Sequence, residues 1–197
     1  MFIQIVQGHC TDEARVRQLG DQWVQELAPG ASGWLGGTYG LADDGLFLGV
    51  VRFDSRESAM ANSERPEQGA WWSEMAKCFD GPVEFHDCED VVLLLGGGSD
   101  SAEFVQVIQG KVDDPAKLKG VMANTDALHE MRPDILGATL AIDADGTFTE
   151  TVAFTNEAAA RQAEQQEMPD DLRDMWETAV HDMSYVDLHR PWFASRS

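Results

Sequence analysis

Residues 2–8 read Phe2-Ile3-Gln4-Ile5-Val6-Gln7-Gly8, and residues 104–110 read Phe104-Val105-Gln106-Val107-Ile108-Gln109-Gly110. Four of the seven positions are identical and the other three exchange Ile with Val. A second block follows at nearly the same spacing. Leu35-Gly36-Gly37-Thr38-Tyr39-Gly40-Leu41-Ala42-Asp43-Asp44-Gly45 aligns with Leu136-Gly137-Ala138-Thr139-Leu140-Ala141-Ile142-Asp143-Ala144-Asp145-Gly146, sharing the Asp-Gly that marks a hairpin turn. Phe53 then matches Phe154, Pro66 matches Pro169, Trp72 matches Trp176, and Glu84-Phe85-His86 matches Asp187-Leu188-His189. Blocks in the same order at a slowly drifting offset are the signature of an internal repeat. The chain reads as one unit written twice.

Each copy has the same element order. Phe2–Gly8 is short and β-branched, hence a strand. Thr11 is a candidate helix cap, and Val16, Leu19, Trp23 and Leu27 follow at helical spacing until Pro29-Gly30. Trp34–Ala42 and Leu46–Phe53 form a hairpin about Asp43-Asp44-Gly45. Ser55 caps a second helix, interrupted near Pro66 and resumed through Trp71, Trp72, Met75 and Phe79. Gly81-Pro82 stops it, and Val83–Cys88 is a last strand. The second copy repeats this with strand 104–110, a helix from about Asp114 to Glu130, a hairpin about Asp145-Gly146, a helix from Glu157 through Val180, and strand Ser184–His189. That order is β-α-β-β-α-β, the ferredoxin-like split unit. The domains expected are residues 1–95, a Gly/Ser-rich linker at 96–103, and residues 104–197. A sheet with helices on one side leaves its other face bare, so the two sheets are expected to close on each other as one pseudo-two-fold α/β barrel.

Composition narrows the function. Thirty-five acidic residues against 14 Lys and Arg give a net charge of −21 in 197 residues, which disfavours nucleic acid and anionic membrane surfaces. The longest apolar run, Val91–Leu95, is strand-sized and far short of a bilayer span. Three cysteines without C-x-x-C spacing suggest reduced thiols, and the N-terminus opens directly into a strand, so a cytoplasmic protein is expected. No phosphate-cradling loop, nucleophile elbow or four-ligand metal pattern occurs.

The doubled unit, with its Gln-bearing first strand and Trp-bearing second helix, resembles the dimeric α/β-barrel superfamily, and within it the antibiotic-biosynthesis-monooxygenase-like proteins. The resemblance covers nearly the whole chain twice and implies an α+β fold with an internal pseudo-dimer, further homodimerisation being open. It implies a small-molecule-acting barrel protein, either a cofactor-independent monooxygenase-like enzyme or a non-catalytic ligand-binding or stress-response module. Haem-degrading members use a Trp and a His on the second helix with an Asn on the first strand. Here the first strand carries Gln4 and Gln7, and Lys77 and His181 follow the two tryptophans, so no cofactor is expected.

Strand parity sorts the candidate site residues. Gln4 shares a strand face with Phe2 and Val6, and pairing of first and last strands would set it beside Glu84 and His86; the duplicates are Gln106, Asp187 and His189. A carboxylate two residues from a His can orient the imidazole and raise its basicity. His86 and His189 are therefore the candidate bases, with Glu84 and Asp187 as their partners. Gln4, Gln106, Trp72 and Trp176 are the candidate pocket residues, and no metal ligands are assigned. The competing reading is structural: polar pairs satisfied by hydrogen bonds, and tryptophans packed in the core.

Overall fold

A computed structural model of the chain describes residues 1–122, 132–165, 173, 176 and 178–196. The far part of the helix expected to reach Glu130, with His129, and most of the stretch between Glu164 and Thr178 lie outside the described residues.

The chain divides into two compact units, Met1–Glu89 together with Trp192–Ser197, and Asp90–Pro191. In the first unit the opening heptad forms β1 (Phe2–Cys10), followed by α1 (Glu13–Gln22). The cap of α1 is Asp12, whose carboxylate accepts from the Arg15 N–H at 3.0 Å. Thr11 instead donates its hydroxyl to the Cys78 carbonyl, because its backbone is already tied to that carbonyl through its own N–H. The chain leaves α1 through a wide π turn, Trp23–Leu27. The hairpin β2 (Trp34–Leu41) and β3 (Leu46–Phe53) turns where expected, on Gly45 at φ +88°, a conformation glycine adopts without steric cost. Ser55 caps α2 (Arg56–Ser63), and Pro66 opens a separate α3 (Pro66–Met75) at the position where its missing N–H costs nothing. β4 (Phe79–Leu94) then runs antiparallel to β1. It begins before Gly81-Pro82 rather than after, since a bulge opposite Gly8 absorbs those two residues. The sheet order is β4-β1-β3-β2, and Trp192–Ser195, here β9, adds a strand on the β2 edge.

The second unit repeats the plan with β5 (Phe104–Val112), α4 (Pro115–Met122), β6 (Ile135–Asp143), β7 (Thr147–Phe154), α5 (Glu157–Glu164) and β8 (Val180–Leu188), in sheet order β8-β5-β7-β6. The last residues of β4, from Asp90 on, lie beside β6 in this unit, with Val92 and Leu94 packed on Ile135 and Ala138. The compact units thus divide ahead of the Gly/Ser segment, because β4 does not stop where the repeat pattern fades. Val180, expected to end a helix, opens β8, which carries His181 next. Both units are α+β and ferredoxin-like. Among the described residues no helix is long and apolar enough to cross a membrane.

Each unit packs its helices on one face of its sheet. In the first, Val6 and Phe47 meet Val16 and Leu19 of α1, while Phe2 and Phe53 meet Trp23 and Ala59. In the second, Phe148 and Leu140 meet Leu118 of α4, while Phe104 and Val152 meet Ala160 of α5.

Candidate functional site

In the first unit the helix-facing side of the sheet is incompletely filled. Val6 on β1, Tyr39 on β2 and Gly49 and Val51 on β3 form the floor of two adjoining cavities, of about 100 and 340 Å³, which share Val6, Trp23, Tyr39, Val51 and Trp72 as lining. Gly49 is what leaves the middle of the floor open. A Cβ there would sit 3.2 Å from the Tyr39 ring and 3.3 Å from the Phe47 ring.

The walls are aromatic. Trp23 is carried by the π turn, a wider coil that commonly occurs where a helix is bent to functional use. Its indole N–H donates to Gln68 Oε1 at 2.6 Å, and its ring meets Trp34 edge-on and Trp71 at a tilt. Trp71 donates to the Leu19 carbonyl, and Trp72 lies against it and against Phe85. Trp192 stacks on Tyr39, with centroids 6.0 Å apart, while the Arg17 guanidinium lies 4.0 Å above its ring. Burial pushes the Tyr39 hydroxyl up to about 12, so it remains a neutral phenol at any physiological pH. The larger cavity has a polar rim of Gln4, Asn62, Ser63 and Gln68, and Asp21 lines the smaller one.

Gln4 and Trp72 both line the larger cavity. The strand partners differ from expectation. Gln4 stands opposite Asp87 and donates to its carboxylate at 2.8 Å; Glu84 stands opposite Gln7 and accepts from it at 2.9 Å. His86 stands opposite Ile5, on the reverse face of the sheet from Gln4 and the cavity, with Glu84 Oε2 4.0 Å away.

In the second unit Gln106 pairs with Asp187 at 3.0 Å, the counterpart of Gln4 with Asp87. Arg161 of α5 grips Asp187 and reaches Glu157 and Glu164, Gln106 also touches Glu164, and His189 lies 2.9 Å from Glu157 beside the Phe104 ring. Trp176 packs edge-on to Phe148. The register corrects one sequence match. Ile3 faces Cys88 and Val105 faces Leu188, so His86 corresponds to Val186 and His189 to Glu89. The similarity of Glu-Phe-His to Asp-Leu-His places the copies three residues out, and an odd shift exchanges the two faces of a strand. The two histidines are not duplicates and lie on opposite faces of their sheets relative to the helices. Among the described residues no group of three His, Cys, Asp or Glu side chains gathers as a metal site.

No family model matches the sequence, and no curated protein matches it. Solved structures do match over the full length. A provisionally assigned monooxygenase from Lactobacillus acidophilus NCFM superposes with a TM-score of 0.76 at 11% identity, covering 98% of this chain and 95% of that one. An anthrone oxidase-like protein gives 0.63 at 11% identity, over 100% and 91%. A ferredoxin-fold protein related to antibiotic biosynthesis monooxygenases, from Listeria monocytogenes 4b F2365, gives 0.53 at 11% identity, over 100% and 95%. The chain has the antibiotic-biosynthesis-monooxygenase-like fold.

Within that fold the two copies have diverged at the centre of the helix-facing surface, and parity reasoning missed it. Gly49 lies between Val6 and Tyr39 in the register; the same register place between Ile108 and Leu140 holds Glu150. The signal was present in the aligned sequence, where Phe47-Leu48-Gly49 matches Phe148-Thr149-Glu150.

Proposed function

We propose that the first unit binds a flat, uncharged, electron-rich aromatic molecule between its sheet and its helices, and that the chain acts on it as a cofactor-independent, monooxygenase-like enzyme. One observation carries this reading: six aromatic side chains, Trp23, Tyr39, Phe47, Trp71, Trp72 and Trp192, converge on two adjoining spaces, the larger of which has an uncharged polar rim. Rings recognise rings by offset stacking and edge contacts, and a cavity of this size is of the order that encloses a small ligand. The Gln4 amide, fixed by Asp87, presents its free oxygen to a hydroxyl on the ligand. A ligand whose ring carbon loses a proton to solvent forms a stabilised carbanion. Exclusion of bulk water by the tryptophans would favour electron transfer from it to dioxygen, one oxygen entering the substrate and the other leaving as water with the two hydrogens that carbon gives up.

The second reading is a non-catalytic ligand-binding module. It is favoured by the placement of His86, which turns its imidazole away from the cavity and leaves the candidate base out of reach of a ligand there. Anthrone is a suitable probe, since its conversion to anthraquinone by dioxygen is followed by oxygen uptake and absorbance. Turnover that falls at least tenfold in Trp72→Ala supports the enzyme. Saturable binding without oxygen uptake supports the module, and absence of both overturns the aromatic-ligand reading.

A further inference from the structure

Glu150 is 7% exposed, and burial pushes its carboxyl up to about 7. It makes no hydrogen bond or ion pair among the described residues. Its place is not incidental. On β7 it sits two residues from Phe148 and two from Val152, which pack under α4 and α5 respectively, so it points to the helix side. Its strand neighbours are Ile108 and Leu140, where the first unit has Val6 and Tyr39 around the opening left by Gly49. Leu140, where the first unit has Tyr39, is fully buried against Phe148 and Leu118.

The surroundings are acidic as well as apolar. Tyr185 stands beside Ile108 on the same face and is 60% exposed; desolvation raises its hydroxyl above the ordinary phenol value, and the charges of Glu150 and Glu164 add to this. Arg161, which reaches down from α5 onto this face, is occupied by Asp187, Glu157 and Glu164. A buried carboxyl left without a partner is costly, and the partner that offsets the cost best is a cation able to donate hydrogen bonds to both oxygens.

We infer that the second unit carries its own ligand site, distinct from the aromatic cavity of the first, in which Glu150 binds the cationic head of an organic amine or amidine whose apolar body lies along Ile108 and Tyr185. Paired charge and directional hydrogen bonding would then select cations in one half of the molecule, while the other half selects neutral rings.

Benzamidine and benzamide test this, being alike in shape and different in charge. Calorimetric titration of the full chain is expected to show benzamidine binding at least tenfold tighter than benzamide. The affinity for benzamidine should rise about tenfold between pH 6 and pH 8 as the carboxyl ionises about a value near 7. Glu150→Gln should abolish the preference, and Glu150→Leu, which keeps the volume apolar, provides a second variant; circular dichroism confirms that each is folded. Equal binding of the two probes, no binding of either, or a preference that survives both substitutions would overturn the inference. The last result would assign benzamidine to the acidic surface.

Discussion

Single residues decide what each half can hold. Glu150 titrates at the ordinary 4.5 in the unfolded chain and near 7 when folded, so between those values the folded state keeps a proton the unfolded state has released. Stability is therefore greatest below that window and falls as pH rises through it, by about 3 kcal/mol in all. Glu150→Gln should flatten that part of the profile and raise the melting temperature at pH 8, while leaving it nearly unchanged at pH 4.5; a profile identical to the wild type would show that the carboxyl is solvated. The histidines behave differently. Both His86→Gln and His189→Gln are expected to leave anthrone turnover within about twofold of the wild type, and His189→Gln should cost about 1 kcal/mol through its bond to Glu157, measured by denaturant unfolding. At this scale the sequence was legible where side-chain type and parity suffice: Gln4 and Trp72 reach the cavity. It misled where a bulge resets the register, since nothing in the string Glu84-Phe85-His86 reveals that Gly81-Pro82 are absorbed upstream.

Elements explain how the repeat is completed. The opening heptads predicted β1 and β5, the hairpins turned on Gly45 and Gly146, and Pro66 divided α2 from α3, all from local chemistry. What local chemistry could not show is where a strand that has finished its own pairing goes next. Asp90 lies in the last stretch of β4, and Trp192 opens β9 after the fourth strand of the second copy. The first is held by Lys119 of α4 in the second unit, and the second by Arg17 of α1 in the first unit. Lys119 and Arg17 are themselves equivalent, one using an ion pair and the other a ring. The strand β9 also closes the cavity, since Trp192, Phe193 and Ala194 all line it. A chain ending at Pro191 should consequently lose anthrone binding and melt several degrees lower, as Tyr39 and Phe47 lose the ring stacked on them. Trp192→Ala alone should cost about 1–3 kcal/mol, below the roughly 3–5 kcal/mol of buried aromatic truncations because the ring is only half-buried. Arg17→Met, which keeps the aliphatic stem over the ring, should cost less than 1 kcal/mol.

At the scale of the whole molecule one fold is written twice, with Gly49 at the centre of the helix-facing surface in the first copy and Glu150 at the same register place in the second. The claim on which the functional account stands is that the first copy is the one that takes the aromatic ligand. Titration of the full chain with anthrone, followed by tryptophan fluorescence, tests it directly when Val51→Phe and Glu150→Gln are measured beside the wild type, Val51 lining both cavities of the first unit. Quenching that saturates at about one equivalent per chain, is lost in Val51→Phe and persists in Glu150→Gln is the predicted result. Unchanged binding in Val51→Phe would contradict it.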